Sequence, residues 1–158
     1  MRVDKQEFTR RVLAMEGRLY RVSRGILRDS QDQLDAVQDA VMSAWVNVGK
    51  LRKREYFETW LTRILINKCY DVIKARRRLV PLEEVPERAA PEGANAELYD
   101  AIEALSEEYR LPIVLHYMEG YKLREIADIL ELPMGTVKTR LLRGKKRLRE
   151  QLEEGDRA

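Results

Sequence analysis

Three prolines lie at five-residue steps near the middle of this chain of 158 residues, at Pro81, Pro86 and Pro91. Proline lacks a backbone N–H and its ring collides with the preceding turn, so no regular helix runs through a segment that carries one every five residues. The surrounding residues 79–95 are also rich in glutamate and small side chains, which predicts a flexible linker. The chain is therefore expected to fold as two parts, one on each side of this segment.

The part before the linker has the periodicity of helices. Asp4 followed by Glu7 is typical of a helix start, and apolar residues then recur every three or four positions over residues 8–26, which predicts one helix of about six turns. Ser30 with Gln33 predicts the start of a second helix. The apolar positions of that helix expected to face the core are Leu34, Val37, Val41, Ala44 and Val48. A third helix is expected after a basic loop at residues 47–54.

The chain ends in a stretch, residues 122–152, that predicts two helices joined by a tight turn. Pro133 ends the first helix and opens the second. In the second helix an inward apolar stripe leaves seven cations on the other faces: Lys138, Arg140, Arg143, Lys145, Lys146, Arg147 and Arg149. This pattern is typical of a helix-turn-helix whose second helix enters the major groove of DNA. A solvated cationic face is the simpler interpretation of the charge run alone.

The predicted fold class is all-α, with two small helical domains at residues 1–78 and 96–154. A flexible linker joins them over residues 79–95, and residues 155–158 form a tail.

Two further surfaces of the first part are candidates for binding. The basic loop, a nearby group of aromatic residues and the cations at residues 74–78 have the composition of a site for single-stranded nucleic acid. Asn67 is the best candidate for touching a base, whereas Trp45 and Trp60 fall at core spacing and are expected to be structural. The second helix carries Asp35 and Asp39 on one side, where their mutual repulsion favours a cationic partner; a solvated helix face is the alternative.

Composition excludes several classes of function. The single cysteine, Cys69, excludes an internal disulfide and favours a reducing compartment. No apolar run approaches the roughly 18 residues of a membrane span, and the N-terminus lacks the apolar core of a signal peptide, so a cytoplasmic protein is expected. There is no nucleophile–histidine pairing, no metal-ligand spacing and no glycine-rich phosphate loop. We therefore expect no enzyme activity, no cofactor and no metal.

Four ordered blocks carry a resemblance to a known family: LDAVQD at residues 34–39 with Trp45, FETWLTRI at residues 57–64 with Asn67, ALSEEYR at residues 104–110 and GTVKTRL at residues 135–141. Together they resemble the extracytoplasmic-function (ECF) sigma factors of bacterial RNA polymerase, in the sigma-70 family. The resemblance covers nearly the whole chain. It implies a sigma2-like bundle that captures the promoter −10 element, a sigma4-like helix-turn-helix that reads the −35 element, and no other sigma regions. Leu34 departs from the family pattern, because members usually carry an acid before the aspartate, and Glu131 departs from the helix-turn-helix pattern, because many such turns have glycine there.

The resemblance also implies roles for individual residues. Docking on the clamp of the polymerase β′ subunit would use Asp35, Gln38, Asp39 and Met42. Capture of the opened −10 strand would use Lys50, Arg52, Lys53, Arg54, Tyr56, Arg63, Asn67, Lys74, Arg76, Arg77 and Arg78. Contacts with the −35 element would use Thr136, Lys138, Thr139, Arg140, Leu142, Arg143 and Lys146. Of these, Arg140 and Lys146, together with Lys145, would meet phosphates or the flap of the β subunit. The implied partners are core polymerase, double- and single-stranded promoter DNA and an anti-sigma factor, with no small-molecule substrate.

Three other functions remain open at this point. A helix-turn-helix regulator that acts without polymerase would form no complex with the core enzyme. A helical adaptor that binds only proteins would tolerate neutral residues at Lys138 and Arg143. A helical enzyme has the least support, because no catalytic constellation is present.

Overall fold

The computed structural model describes residues 3–79 and 96–157, and the secondary structure of these residues is entirely helical. The chain divides into two compact units, Met1–Glu87 and Arg88–Ala158. The predicted all-α class with two helical domains is confirmed. Residues 80–95, which contain nearly all of the predicted linker, lie outside the described residues.

Over residues 3–79, the first unit contains four helices: α1 (Lys5–Ala14), α2 (Glu16–Arg24), α3 (Ser30–Val46) and α4 (Phe57–Leu79), with short 3-10 turns at Val48–Lys50 and Arg54–Tyr56. Asp4 caps α1, since its side chain accepts a hydrogen bond of 2.8 Å from the Glu7 N–H. The prediction of one helix over residues 8–26 is wrong in detail, because the helix is interrupted at the buried residue Met15. On either side of this interruption, α1 buries Phe8 and α2 buries Leu19 and Val22.

The start of α3 also differs from its prediction. Asp29, not Ser30, is the cap: its Oδ1 accepts from the N–H groups of Gln31 and Asp32 at 2.7 and 3.2 Å. Aspartate is among the best N-cap residues, because its side-chain oxygen satisfies amides that have no partner within the helix.

The buried face of α3 is narrower than the predicted stripe. The small residues Ala36, Ala40 and Ala44 are fully buried, whereas Leu34 and Val41 stay partly exposed. Small side chains at four-residue spacing let α3 approach its neighbours α2 and α4 closely. Phe57, Leu61 and Leu65 of α4 complete the core from the other side, and Cys69 is buried among the apolar residues.

The second unit contains α5 (Ala96–Ala104), α6 (Glu107–Ile113), α7 (Leu123–Leu130) and α8 (Met134–Arg157). Pro112 lies inside α6, and the chain then passes into one π-helical turn at Val114–Met118. His116 Nδ1 donates to the Tyr121 carbonyl at 2.8 Å, which ties this turn to the residues before α7. Because α8 extends to Arg157, it includes most of the predicted tail.

The turn between α7 and α8 has the conformation that glycine favours. Glu131 has φ 56° and ψ 46°, the only positive φ of a residue other than glycine among residues 3–79 and 96–157. The Pro133 carbonyl then accepts from the N–H groups of Thr136 and Val137, at 3.1 and 3.2 Å. Pro133 therefore precedes α8, which begins at Met134, and does not form its first residue.

Candidate nucleic-acid interface

The face of α8 that would enter a groove is held by packing on its opposite side. Val137 and Leu141 are buried, as their spacing predicts. Gly144 is also buried, and a Cβ built on it would lie 3.1 Å from Ile113 Cγ1 and 3.3 Å from Tyr109 Cβ. These distances are tighter than ordinary van der Waals contact, so a side chain at this position would require Ile113 and Tyr109 of α6 to shift.

All seven residues predicted to contact the −35 element lie on α8, and none of them is buried. Lys138, Thr139, Leu142, Arg143 and Lys146 are exposed, while Thr136 and Arg140 are half-buried. The Thr139 hydroxyl donates to the Gly135 carbonyl at 2.9 Å. The surface therefore combines cations with short and apolar side chains, as a groove-reading helix requires.

Two other cations of α8 lie over aromatic rings of the same unit. The Arg147 guanidinium carbon is 4.8 Å from the Tyr109 ring centroid, and Lys145 Nζ is 6.0 Å from that of Tyr117. Attraction to the ring faces orients these side chains and lowers their freedom to follow a DNA backbone. Arg143, Lys146 and Arg147 also line a cleft of about 460 Å³ beside the turn between α5 and α6.

In the first unit, the basic loop is attached to α1. Arg54 pairs with Glu7 at 3.1 Å, and the Arg54 carbonyl accepts from Arg11 Nη1 at 2.7 Å. These contacts hold the loop in place while its other predicted DNA-binding residues remain exposed: Lys50, Arg52, Lys53 and Tyr56. Lys53 Nζ lies 5.8 Å from the centroid of the Tyr56 ring.

A cluster of aromatic side chains packs at the end of this loop, where α4 begins. The Phe8 ring lies 5.1 Å from Trp45 and 5.7 Å from Phe57, and the Phe57 ring lies 6.1 Å from Trp60. Phe57 is fully buried, and one face or edge of each tryptophan ring contacts a phenylalanine of this cluster. Trp45 is nevertheless 36% exposed and Trp60 is half-buried, so a purely structural role for them stays a prediction.

One face of α4 continues the exposed polar surface of the basic loop. Arg63, Asn67, Lys74 and Arg78 are exposed at spacings of four, seven and four residues, which places them along one side of the helix. Arg77 is also exposed. The predicted −10 residues of α4 thus form a continuous polar surface, with the exception of Arg76.

Arg76 contacts acidic residues of α3. Its Nη2 donates to Asp29 Oδ2 at 3.2 Å, and its Nε contacts Asp32 Oδ2. The pKa of the Arg76 guanidinium is raised, chiefly by the hydrogen bond to Asp32 and further by the negative charges of both carboxylates, while desolvation acts in the opposite direction. Arg76 therefore joins the end of α4 to the beginning of α3.

The acidic side of α3 presents all four residues predicted to dock on polymerase. Asp35, Gln38, Asp39 and Met42 are exposed, Met42 by 68%. Gln31 Nε2 donates to Asp35 Oδ1 at 3.0 Å, which orients that carboxylate.

Two features of the described residues bear on other classes of function. No group of three or more metal-ligating side chains occurs among them. None of their helices is long and apolar enough to cross a membrane.

Each of the two units matches a family of known proteins. Residues 12–79 match the family described as Sigma-70 region 2, and residues 95–148 match Sigma-70, region 4. The chain is 31% identical over 171 residues to the ECF RNA polymerase sigma factor SigW of Bacillus subtilis, covering 96% of this chain and 91% of that protein. The chain belongs to the ECF sigma factors of RNA polymerase.

Other relatives agree with this assignment. The ECF sigma factor SigM of Mycobacterium tuberculosis is 32% identical over 150 residues, which cover 92% of this chain and 76% of that protein. Among solved structures, the sigma factor RpoE of Bartonella quintana, in complex with the anti-sigma factor NepR, has a TM-score of 0.82 at 26% identity, covering 94% of this chain and 98% of that one. CnrH, in complex with the cytosolic domain of CnrY, has the same fold, with a TM-score of 0.74 at 24% identity and coverage of 96% and 90%.

As an ECF sigma factor, this protein directs promoter-specific transcription initiation by RNA polymerase. A helix-turn-helix regulator that acts without polymerase is not favoured, because the first unit matches sigma region 2 and the second matches region 4.

Two residues near the ends of α3, Asp29 and Val46, are not among those expected from the sequence. Asp29 was missed although an aspartate directly before an amphipathic helix is itself a signal for a cap. Val46, one turn after Met42, is exposed at the same edge of α3. Four-residue spacing from Met42 would have identified it.

Proposed function

We propose that the two units of this sigma factor contact different parts of a promoter. Residues 1–78 act as region 2 and residues 96–154 as region 4, with residues 79–95 as the linker and residues 155–158 as the tail. The observation that carries the proposal is the arrangement of α8, whose apolar stripe is buried while Lys138, Thr139, Leu142 and Arg143 project outward together. A helix held in this way can enter a major groove without losing its own packing.

At the −35 element, Arg143 and Lys138 are positioned to reach base edges. Arg140 and Lys146 are assigned to the phosphate backbone or the polymerase flap, and Thr136 lies at the start of the helix. Phosphate contacts fix the position of the helix and base contacts provide the sequence preference.

The contribution of Arg143 can be separated from general affinity. Arg143→Ala should weaken binding of the reconstituted holoenzyme to its promoter by roughly 1–3 kcal/mol if the side chain contacts a base bidentately. Arg149→Ala, at an exposed position further along α8, is the matched control. An equal loss on promoters with a scrambled −35 element would identify Arg143 as a phosphate contact instead.

At the −10 element, the basic loop and the outer face of α4 form the capture surface. Lys50, Arg52, Lys53 and Arg54 would follow the phosphates, and Tyr56 offers an exposed ring on which a base can stack. Arg63 and Asn67 extend this surface along α4, and the cations Lys74, Arg77 and Arg78 lie at its end, whereas Arg76 is paired with Asp29 and Asp32. A stacked base contributes about 1–3 kcal/mol, which is comparable to the cost of unstacking it from the duplex.

The acidic side of α3 is the proposed docking surface for polymerase. Asp35 and Asp39 supply charge for a cationic clamp helix, and Gln38 and Met42 supply hydrogen bonding and apolar contact beside them. Support comes from the exposure of all four side chains on a helix whose opposite face is buried in the core.

Charge reversal at Asp39 tests this docking surface. Asp39→Arg should reduce run-off transcription and co-purification with core polymerase by about tenfold or more, because a like-charge contact costs several kcal/mol. Glu16→Arg, an equal change of charge at an exposed position of α2, should retain activity. Output from Asp39→Arg equal to that of the unmodified protein would refute the docking role.

We also propose that an anti-sigma factor binds this protein and that it acts in the cytoplasm. Support for the partner comes from the Bartonella quintana structure, in which a sigma factor covering nearly the same length is bound to the anti-sigma factor NepR. The protein acts by binding and positioning DNA on polymerase, and the catalytic chemistry of transcription belongs to the core enzyme.

A further inference from the structure

Two residues of α1 hold one residue of the basic loop. Arg54 Nη1 lies 3.1 Å from Glu7 Oε1, and Arg11 Nη1 donates to the Arg54 carbonyl at 2.7 Å. The first contact fixes the side chain of Arg54 and the second fixes its backbone. Both residues of α1 precede residues 12–79, which match Sigma-70 region 2, so the family match itself gives them no role.

These contacts are largely withdrawn from water. The Glu7 side chain is 14% exposed, and the Arg11 guanidinium carbon lies 5.4 Å from the centroid of the buried Phe57 ring. Glu7 Oε2 and Arg54 Nε are buried and have no hydrogen-bond partner, so the pair lacks the two parallel bonds of a bidentate contact. Because each such atom costs free energy, the pair is a poor source of stability. It contributes a fixed geometry more than it contributes stability.

The position of Arg54 determines where the next residues point, because it is the first residue of the 3-10 turn Arg54–Tyr56. The Tyr56 N–H donates to the Lys53 carbonyl, and the Thr59 hydroxyl donates to the Tyr56 carbonyl, both at 3.1 Å. The Tyr56 ring is 52% exposed, and Lys53 Nζ lies 5.8 Å from its centroid. This ring and this ammonium group are therefore carried by a backbone that α1 holds at one end and α4 at the other.

We propose that Glu7 and Arg11 are positioning residues for capture of the −10 strand. They contact no DNA, but by holding Arg54 they keep Tyr56 and Lys53 arranged to accept an unstacked base and its phosphate. The inference rests on the proposed role of the basic loop and adds α1 to the machinery of promoter opening. A loop that is ordered before DNA arrives loses less conformational entropy on binding. Releasing it from α1 should therefore slow opening and leave the other contacts of the sigma factor intact.

The test separates the first binding of a promoter from its opening. A duplex promoter is selected from a randomised library by the reconstituted holoenzyme, and its opening is followed by the permanganate reactivity of unpaired thymines. Arg11→Met keeps a long side chain but removes the donor to the Arg54 carbonyl. It should lower the rate of opening by about three- to tenfold, which corresponds to the entropy of ordering one side chain. The affinity for core polymerase and the initial affinity for the promoter should be unchanged.

Other variants distinguish positioning from a loss of stability. Arg18→Met is the matched control, because it makes the same chemical change in an ion pair between helices, with Glu58 of α4 at 2.7 Å, and it should leave the rate of opening unchanged. Glu7→Ala, which removes the acceptor for Arg54, should slow opening and serves as the second variant if Arg11→Met does not fold. Glu7→Gln keeps an oxygen acceptor and should restore part of the rate.

A double variant shows whether α1 acts through the aromatic ring. Tyr56→Ala should slow opening by itself, and Arg11→Met should add little in that background, because the ring that Arg11 positions is then absent. Fully additive effects would overturn the inference. So would equal slowing in Arg18→Met, since loss of stability would then account for the effect.

Failure of the inference differs from failure of the proposed capture surface. If Arg11→Met and Glu7→Ala open the promoter at the unmodified rate while Tyr56→Ala slows opening, α1 has no positioning role and the capture role of the loop remains. If Tyr56→Ala opens the promoter at the unmodified rate, the proposed role of Tyr56 in capture fails, and the inference fails with it.

Discussion

Replacing Arg76 by methionine should destabilise the first unit more than the same change at the next residue. Methionine keeps a long apolar side chain but removes the cation that contacts Asp29 and Asp32. Two carboxylates of the α3 start are then left facing each other without their shared partner. One of them, Asp29, is also the N-cap of α3, so the loss affects the position of that cap.

The expected magnitude follows from how far these groups are withdrawn from water. Arg76 is 35% exposed, while the side chains of Asp29 and Asp32 are 25% and 17% exposed. Fully exposed ion pairs contribute about 0–1 kcal/mol, whereas removing one partner of a buried pair costs about 3–5 kcal/mol. Because solvent screens the partly exposed guanidinium, the cost of removing Arg76 should be nearer to that of an exposed pair than to that of a buried one. We expect the free energy of unfolding to fall by about 1–2 kcal/mol.

Tryptophan fluorescence measures this loss selectively, because both tryptophans of the chain, Trp45 and Trp60, lie in the first unit. Urea titrations followed by this signal should show a lower midpoint for Arg76→Met than for Arg77→Met, which makes an equal change of charge at an exposed position. A double-mutant cycle with Asp32→Asn should give a coupling of about 1 kcal/mol. This coupling should weaken at high salt.

The pH dependence gives an independent check. The pKa of the Arg76 guanidinium is raised in the folded state. Arg76 therefore contributes its full stabilisation at any pH below the pKa that this guanidinium has in the unfolded chain. The stabilisation is lost only as the pH rises through its pKa in the folded protein. The difference between the Arg76 and Arg77 variants should therefore be the same at about pH 7 and about pH 9. Equal stability of the two variants, or an additive double-mutant cycle, would refute the structural role of Arg76.

Three further predictions concern the helices that hold the binding surfaces. Glu131→Gly should stabilise the second unit by up to about 1 kcal/mol, because glycine adopts a positive φ without strain, and Glu131→Ala should give no such gain in urea unfolding followed by circular dichroism. Gly144→Leu should cost about 1–3 kcal/mol in the same assay, since its Cβ would already lie 3.1 Å from Ile113, whereas Gly135→Leu should not, because a Cβ there meets nothing within 4 Å. Asp4→Ala should cost about 1 kcal/mol by tryptophan fluorescence through loss of the α1 cap, and an unchanged midpoint, or an equal loss in Asp4→Asn, would contradict this.

Much of the candidate site could be predicted because its signals are local. The stripe of Val137 and Leu141 in α8 determines which residues face inward, and therefore which cations face outward. The same reasoning placed Asp35, Gln38, Asp39 and Met42 together on the outside of α3. Where local signals competed, the prediction failed: Ser30 and Asp29 can both cap a helix, and only the backbone geometry distinguishes them.

The sequence by itself determined the helical fold, the division into two units and the side of each amphipathic helix that carries charge. These properties depend on side-chain spacing over one or two turns and on prolines that no helix accommodates. Only the tertiary structure decided that Arg76 pairs with acids 47 and 44 positions earlier in the chain while Arg77 remains exposed, because that choice depends on how α3 and α4 pack. It also decided that the Thr139 hydroxyl is used within α8, since the rotamer of an exposed threonine follows from the three-dimensional position of the Gly135 carbonyl and not from the order of residues.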